Sequence, residues 1–274
     1  MLLGNEKIQN YFRTLVENDG LSHAYLFYGP EGVGKKSFAL EISEVIGGPA
    51  IKNPDLKIID KGSEEIHIAD IRELKNFAYL TPFGKCKLTI INNAHNLGRD
   101  ASNALLKILE EPPGKSVLFL ISHLPKLLFA TVVSRCQLIR FKPLKQSEIL
   151  NYLIDEKKVK NEVAEFSAKL ANGSLGLAVE LANNFDNFQK NNALLSKLMK
   201  ADFKERFETA KKISGSPEDL KKIVGDWFIY SASLTDKPAS AGGKLAKGLL
   251  NLNNILSRPQ FNHRLALDNF LVNL

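Results

Sequence analysis

At 274 residues, 44% of them hydrophobic and 24% charged, the chain has the composition expected of a soluble globular protein and the length for more than one hydrophobic core. Its two cysteines, Cys86 and Cys136, lie too far apart for a local zinc pattern or a disulfide framework, and no apolar run approaches the ~18 residues of a membrane span. A net charge of +7 and a pI near 9.2 allow a polyanionic partner without requiring one; most of the surplus falls within 186–274, where a solvated lysine-rich surface is the plain reading and contact with nucleic acid or an acidic partner face the alternative.

A first helix is predicted over 5–17, with Ile8, Tyr11, Phe12 and Leu15 on one face and Asn5 as its N-cap. A short strand over 25–28 then runs into Gly29-Pro30-Glu31-Gly32-Val33-Gly34-Lys35-Lys36, and a helix follows from Ser37 to about 46. Strand, glycine-rich loop and helix in that order form a phosphate loop, because the loop's backbone N–H groups and the helix N-terminus face one anion. Gly29, Gly32, Gly34 and Lys35 suit that loop, but Lys36 stands where the pattern requires a Ser or Thr hydroxyl for magnesium. Ser37 is one residue late and about 100° further round the helix. The loop is therefore expected to keep its fold without magnesium-dependent nucleotide turnover.

Residues 47–63 are turn-rich around a strand at 56–59, and Asp70 is expected to cap or open a helix over 71–80 that buries Ile71, Leu74, Phe77 and Ala78. Arg72 and Lys75 read as solvated surface. A buried strand at 88–91 delivers Asn92 and Asn93 to the tip where hydrolysing P-loop enzymes of this class present two acids, one for the metal and one to polarise the attacking water. An amide has neither the charge nor the basicity, and a plain turn after the strand fits equally well. On either reading no hydrolytic centre is expected.

Ala101, Leu105, Ile108 and Leu109 recur at helical spacing, and Pro112 and Pro113 forbid continuation beyond Glu111. The apolar run 117–121 suits a central strand covered on both faces, and Ser134-Arg135-Cys136 follow on a short helix or turn before another strand-like run at 137–141. Lys142-Pro143-Leu144 then breaks the strand pattern. Helices are predicted over 147–153, 161–170 and 175–183, and again over 194–199, 203–213, 217–231, 241–257 and 262–274.

The stretch 102–141, from SNALLKILEEPP to the SRC tripeptide and the strand after it, closely resembles the sensor and SRC region of the AAA+ clamp-loader family of bacterial DNA polymerase III, and its ALLKILEEPP run looks most like the δ′ branch. The resemblance is strongest over 22–37 and 85–141. It implies three parts: an α/β P-loop domain of the AAA+ type with a parallel sheet over 1–142, a small helical lid over 143–184, and an all-helical collar for oligomerisation over 185–274, where Asn262, Arg264, Leu265, Leu267 and Phe270 resemble the family's last helix. It also implies that Ser122 or His123 marks a vestigial γ-phosphate sensor, that Gly176 stands where a lid arginine grips ATP in active relatives, and that Arg135 reaches a neighbouring subunit's nucleotide as a finger in trans. A local salt bridge is the alternative for Arg135. His123, like His23, His67, His95 and His263, has no carboxylate or metal partner in the sequence and otherwise reads as surface or capping.

By this resemblance the chain is a non-hydrolysing stator in a hetero-pentameric ring with δ and γ/τ subunits, helping to load the sliding clamp at primed DNA. ATP is bound by the neighbours. No cofactor of its own is expected: the cysteine cluster that binds zinc in most relatives is missing from this sequence, and so is a working magnesium–ATP site. Met1-Leu2-Leu3 runs straight into Gly4-Asn5-Glu6-Lys7 without a basic leader or apolar core, so a cytoplasmic location without membrane attachment is expected. The rival readings are an active clamp-loader ATPase, against which Asn92 and Asn93 count, and a small-molecule P-loop kinase, which needs acidic metal ligands and a substrate lid that this sequence does not show.

Overall fold

The computed structural model describes residues 3–50, 53–233, 241–258 and 260–274. The chain divides into two compact units, Met1–Lys158 with Ala171–Leu177, and Val159–Leu170 with Ala178–Leu274. This differs from a lid standing alone over 143–184. The 171–177 turn goes with the first unit, where Leu144 N–H donates to the Gly173 carbonyl at 3.0 Å and Gly176 N–H to the Gly32 carbonyl at 2.9 Å.

In the first unit, strands β1 (Ala24–Tyr28), β2 (Leu56–Ile59), β3 (Lys87–Ile91), β4 (Ser116–Ser122) and β5 (Gln137–Arg140) form one parallel sheet in the order β2-β3-β4-β1-β5. Helices α1 (Glu6–Glu17), α2 (Lys35–Gly47), α3 (Ile68–Ala78), α4 (Arg99–Glu110) and α5 (Ala130–Val133) surround it, and α6 (Gln146–Asn151) follows the last strand. Alternate residues of the central strands β1, β3 and β4 enter opposite layers: Leu26, Ile91, Leu118 and Leu120 pack with Ile71, Leu74, Leu105 and Leu109 of α3 and α4, while Phe27, Ile90, Phe119 and Ile121 pack with Phe12 and Phe38 of α1 and α2. Burial on both faces makes the strands read as continuous apolar runs, so the period-two pattern of a half-exposed sheet is missing from the sequence. The rings of Phe12, Tyr25, Phe27, Phe38, Phe119 and Phe141 fill the second layer with centroids 4.9–6.4 Å apart.

Three helix starts differ from the sequence reading. Asn5 adopts φ 53° and caps nothing with its side chain; its amide instead clamps the backbone of Lys142, accepting from N–H at 3.1 Å and donating to C=O at 3.4 Å. Helix α2 begins at Lys35, two residues ahead of Ser37, because the loop supplies Gly34 at φ 92° as its first flanking residue. Helix α3 begins at Ile68, placing Asp70 inside the first turn, where its carboxylate accepts the His67 N–H at 3.0 Å and pairs with Lys61 at 3.0 Å.

The second unit is helical. It contains α7 (Asn161–Leu170), most of α8 (Leu175–Asn183), α9 (Phe185–Leu198), α10 (Phe203–Ile213), α11 (Pro217–Ser233), α12 (Ala241–Leu256) and α13 (His263–Val272). Leu195, Val224, Trp227, Leu249, Leu256, Leu267 and Leu271 form its core, with the indole N–H of Trp227 donating to the Asn191 carbonyl at 2.7 Å. Arg206 closes two exposed helix ends by donating to the carbonyls of Leu198 (3.0 Å) and Leu271 (2.9 Å). Asn262 caps α13 through the Leu265 N–H at 3.0 Å. Among the described residues no helix is long and apolar enough to cross a membrane.

The turn between α3 and β3 depends on one buried ion pair. Asp55 and Lys87 are each 2% exposed; the Asp55 carboxylate accepts from Lys87 Nζ at 2.7 Å, Phe83 N–H at 3.0 Å and Gly84 N–H at 2.6 Å. The ammonium also lies 4.8 Å from the ring centre of Phe77. Burial alone would raise the Asp55 pKa, but these hydrogen bonds together with the Lys87 charge bring it below the ordinary carboxylate value. Its stabilisation is therefore present above the unfolded carboxyl pKa and is lost as pH falls through the lower folded one. Asp55→Ala strands a buried ammonium and should cost about 3–5 kcal/mol in urea denaturation at neutral pH. A loss below about 1 kcal/mol would show that water or a rearranged turn satisfies Lys87.

Candidate functional site

The carboxyl ends of the strands bring the sequence-predicted residues together. From Tyr28 the chain turns through Gly29 and Gly32, both at positive φ, and enters α2 at Lys35. Lys35 is 6% exposed and its ammonium donates to the carbonyls of Gly29, at 2.8 Å, and Pro30. Burial lowers its pKa to about 8, with the Glu31 charge opposing the shift. The loop has the glycine-rich shape of an anion cradle, with its lysine held at its own first carbonyls.

The neighbouring position is different in kind. Lys36 Nζ pairs with Asp60 Oδ2 at 2.7 Å, and the Asn92 side-chain amide donates to the same oxygen at 3.1 Å. Burial would raise the Asp60 pKa, but the hydrogen bonds from Lys36, Asn92 and Gly62 N–H bring it below the ordinary carboxylate value. Asn93, at φ 50°, donates to the Gly62 carbonyl at 2.9 Å, so it serves the turn and presents no base. A divalent ion in a P-loop takes a hydroxyl at position 36 and an acid at position 92. Here those positions carry an ammonium and an amide donor, and the nearby carboxylate is committed to both. These residues do not fit magnesium. Among the described residues no group of three or more His, Cys, Asp and Glu side chains could hold a metal ion.

Ser122 is fully buried at the end of β4; its hydroxyl lies 3.2 Å from His95 Nδ1 and accepts the Leu124 N–H at 3.0 Å. The His95 and His123 rings meet edge to face at 4.3 Å. Burial lowers the His95 pKa, with the His123 charge and the Lys35 ammonium lowering it further and Glu31 opposing them. The sequence reading placed His95 among ordinary surface histidines; its position on the short turn after Asn93 was the available signal. Gly176 sits directly against the loop: Gly32, at φ 72°, has room for no side chain because a Cβ there would collide with Ser174 Oγ, and a Cβ at Gly176 would lie 3.2 Å from Gly32 Cα. Gly176 thus meets the loop backbone to backbone, its N–H on the Gly32 carbonyl.

Arg135 lies away from this cluster, between α5 and β5. Its NH2 pairs with Glu110 Oε1 at 2.7 Å, and its NH1 donates to the Thr131 carbonyl at 2.9 Å and Ser134 Oγ at 3.3 Å. Glu110 ends α4, where Pro112 and Pro113 stop the helix, so the ALLKILEEPP run and the SRC tripeptide meet in one ion pair. Cys136 is a free thiol, its Sγ 3.3 Å from the Val132 carbonyl, and burial raises its pKa to about 12, which leaves it without thiolate character. Asp60 and Glu110 are the residues that sequence reasoning missed.

A family model described as DNA polymerase III, delta subunit, matches residues 49–145. The DNA polymerase III subunit delta' of Bacillus subtilis (strain 168) is 34% identical over 210 residues, 70% of this chain and 63% of that protein. Subunit tau of the same organism is 28% identical over 271 residues, 84% of this chain and 48% of that protein. The chain thus spans less than two thirds of the length of these curated relatives. A solved structure of a DNA polymerase III, gamma subunit-related protein from Thermotoga maritima matches at a TM-score of 0.66 and 21% identity over 96% of this chain and 97% of that one, which speaks for the fold. The parallel sheet with its glycine loop between β1 and α2, followed by helices, defines a P-loop protein of the AAA+ type. Within that class, the chain is similar to DNA polymerase III subunits of the delta' and tau kinds.

Lys35 should titrate near pH 8 in a 13C NMR titration of its ε-methylene, well below an ordinary lysine. Between that value and the unfolded pKa of about 10.5 the unfolded chain binds more protons than the folded one, so this group makes stability rise with pH across that window. Lys35→Met should abolish that rise. An ordinary lysine titration would mean that the ammonium is solvated and not lodged on the loop carbonyls.

Proposed function

We propose that the chain is a δ′-type, non-hydrolysing subunit of a DNA polymerase III clamp loader, working in the cytoplasm as a stator in a hetero-pentameric ring with δ and γ/τ-type neighbours that bind the ATP. In this reading the ring loads the sliding clamp onto primed DNA, the helical collar 185–274 serves its assembly, and Arg135 reaches the nucleotide of an adjacent subunit. The observation that carries the reading is the shared contact of Lys36 and Asn92 on Asp60: the positions that serve a metal in hydrolysing P-loop proteins both end on one carboxylate, Lys36 by an ion pair and Asn92 by a hydrogen bond. Asn93 and Gly176 add the missing water-activating acid and lid cation. An active clamp-loader ATPase would need all four functions restored at once.

The finger reading of Arg135 is supported by its chemistry and setting. A guanidinium is permanently charged and forked, which suits phosphate oxygens, and about a third of this side chain remains solvent-accessible. Its pairing with the half-exposed Glu110 is the local salt bridge considered as the alternative. An exposed pair of this kind is worth only ~0.2–1 kcal/mol, so it does not prevent exchange for a neighbour's phosphate.

The purified chain should show no ATP turnover approaching ~1 per second, and any residual rate should be insensitive to Lys35→Ala. In a reconstituted ring, Arg135→Ala should leave assembly intact while cutting hydrolysis at one neighbouring site by about a thousandfold or more. Total hydrolysis would then fall partially and clamp loading more severely. Unchanged loading by the mutant ring would refute the finger, and a ring that no longer assembles would return Arg135 to a structural salt bridge.

A further inference from the structure

We infer that the Lys36 ammonium is a tethered substitute for the divalent cation of a phosphate loop: it keeps divalent ions out of this site, and Asp60 is the carboxylate that takes one when Lys36 is removed. This deepens the reading of 29–37 as a degenerate phosphate loop and is independent of Arg135 and of any ring.

The argument begins with where the two metal-serving positions meet. Lys36 leaves the first turn of α2 and Asn92 leaves the end of β3, yet both reach a single oxygen, Asp60 Oδ2, at 2.7 and 3.1 Å. Asp60 follows β2, the strand beside β3, so parallel pairing of these strands sets its carboxylate next to the Asn92 amide. The acid that β3 lacks is therefore supplied one strand over. The other Asp60 oxygen accepts the Gly62 N–H at 3.3 Å, which restrains the carboxylate from its own turn. Lys36 remains 45% exposed in its side chain and Asp60 26%, so water and ions can approach and exclusion falls to charge and not to burial. A divalent ion taking the Asp60 carboxylate would have to share it with an ammonium already within 3 Å, and like charges at such separations repel strongly even in water. Neutralising Lys36 removes that repulsion and returns the Asp60 carboxylate and, after amide rotation, the Asn92 carbonyl oxygen as oxygen donors of the kind hard cations prefer.

The test uses the full chain and Mn2+ alone, titrated by electron paramagnetic resonance at neutral pH. The parent protein should show no saturable Mn2+ binding at this site up to millimolar ion. Lys36→Ser and Lys36→Met should each bind Mn2+ at least about tenfold more tightly than the parent, the scale expected from removing one positive charge beside a divalent ion. Lys36→Ser combined with Asp60→Asn should lose that gain. The lost pair is partly exposed, so circular dichroism should show all variants folded; two variants at position 36 guard against one failing. Parent protein binding Mn2+ as tightly as Lys36→Ser would overturn the inference, as would folded variants without any gain, or a gain that survives Asp60→Asn. None of these outcomes bears on ATP turnover or on Arg135, so failure here leaves the stator reading to its own assays.

Discussion

Everything functional in the first unit follows from a parallel sheet buried on both faces. Its central strands β1, β3 and β4 are covered on both faces, and parallel pairing sends all carboxyl ends to one edge. The glycine loop follows β1, Asp60 follows β2, Asn92 and Asn93 follow β3, and His123 follows Ser122, the last residue of β4. Beyond β5, Phe141 N–H donates to the Tyr28 carbonyl at 2.8 Å, and the Phe141 carbonyl lies so close to Gly29 that no Cβ fits between them. The loop is thus held in shape by the sheet whether or not a ligand is present.

On this scaffold the site has exchanged a mobile ion for a covalent one. A metal-dependent loop leaves its acids uncompensated until the ion arrives, whereas Lys36 neutralises Asp60 permanently and brings α2, β2 and β3 together through one carboxylate. The same substitution of internal contacts for ligand contacts recurs nearby. Lys35 is satisfied by the loop's own carbonyls, and Gly176 docks its N–H on Gly32, where a side chain could not fit. Preorganised in this way, the loop takes its geometry from contacts within its own chain.

Helix α4 links this end of the molecule to its arginine. It starts from the turn after Asn93, with Gly98 N–H donating to Ile66 at 3.1 Å, and ends at Glu110 against Arg135. Buried Ala101, Leu105, Ile108 and Leu109 hold it rigidly on the sheet, while its last carboxylate is half exposed and readily exchanged.

The local chemistry was legible from the sequence by itself. The glycine loop, the lysine in place of a hydroxyl, the paired asparagines, the proline stop after Glu111 and the apolar run of β4 each depend on residues a few positions apart, where backbone geometry dictates the pattern. The order β2-β3-β4-β1-β5 and the pairings it creates were not, since Lys36 meets Asp60 across 24 residues, Asn92 meets Asp60 across 32, and Lys87 meets Asp55 across 32. Each of those residues alone reads as an ordinary surface charge or a turn. Asn5 shows the same limit in reverse: its sequence setting signals a helix cap, yet tertiary structure spends its amide on Lys142, 137 residues away. Short-range patterns fixed which groups are missing from the site, while only the packing of distant strands decided what stands in their place, because an ion pair is specified by proximity in space and leaves no spacing in the chain.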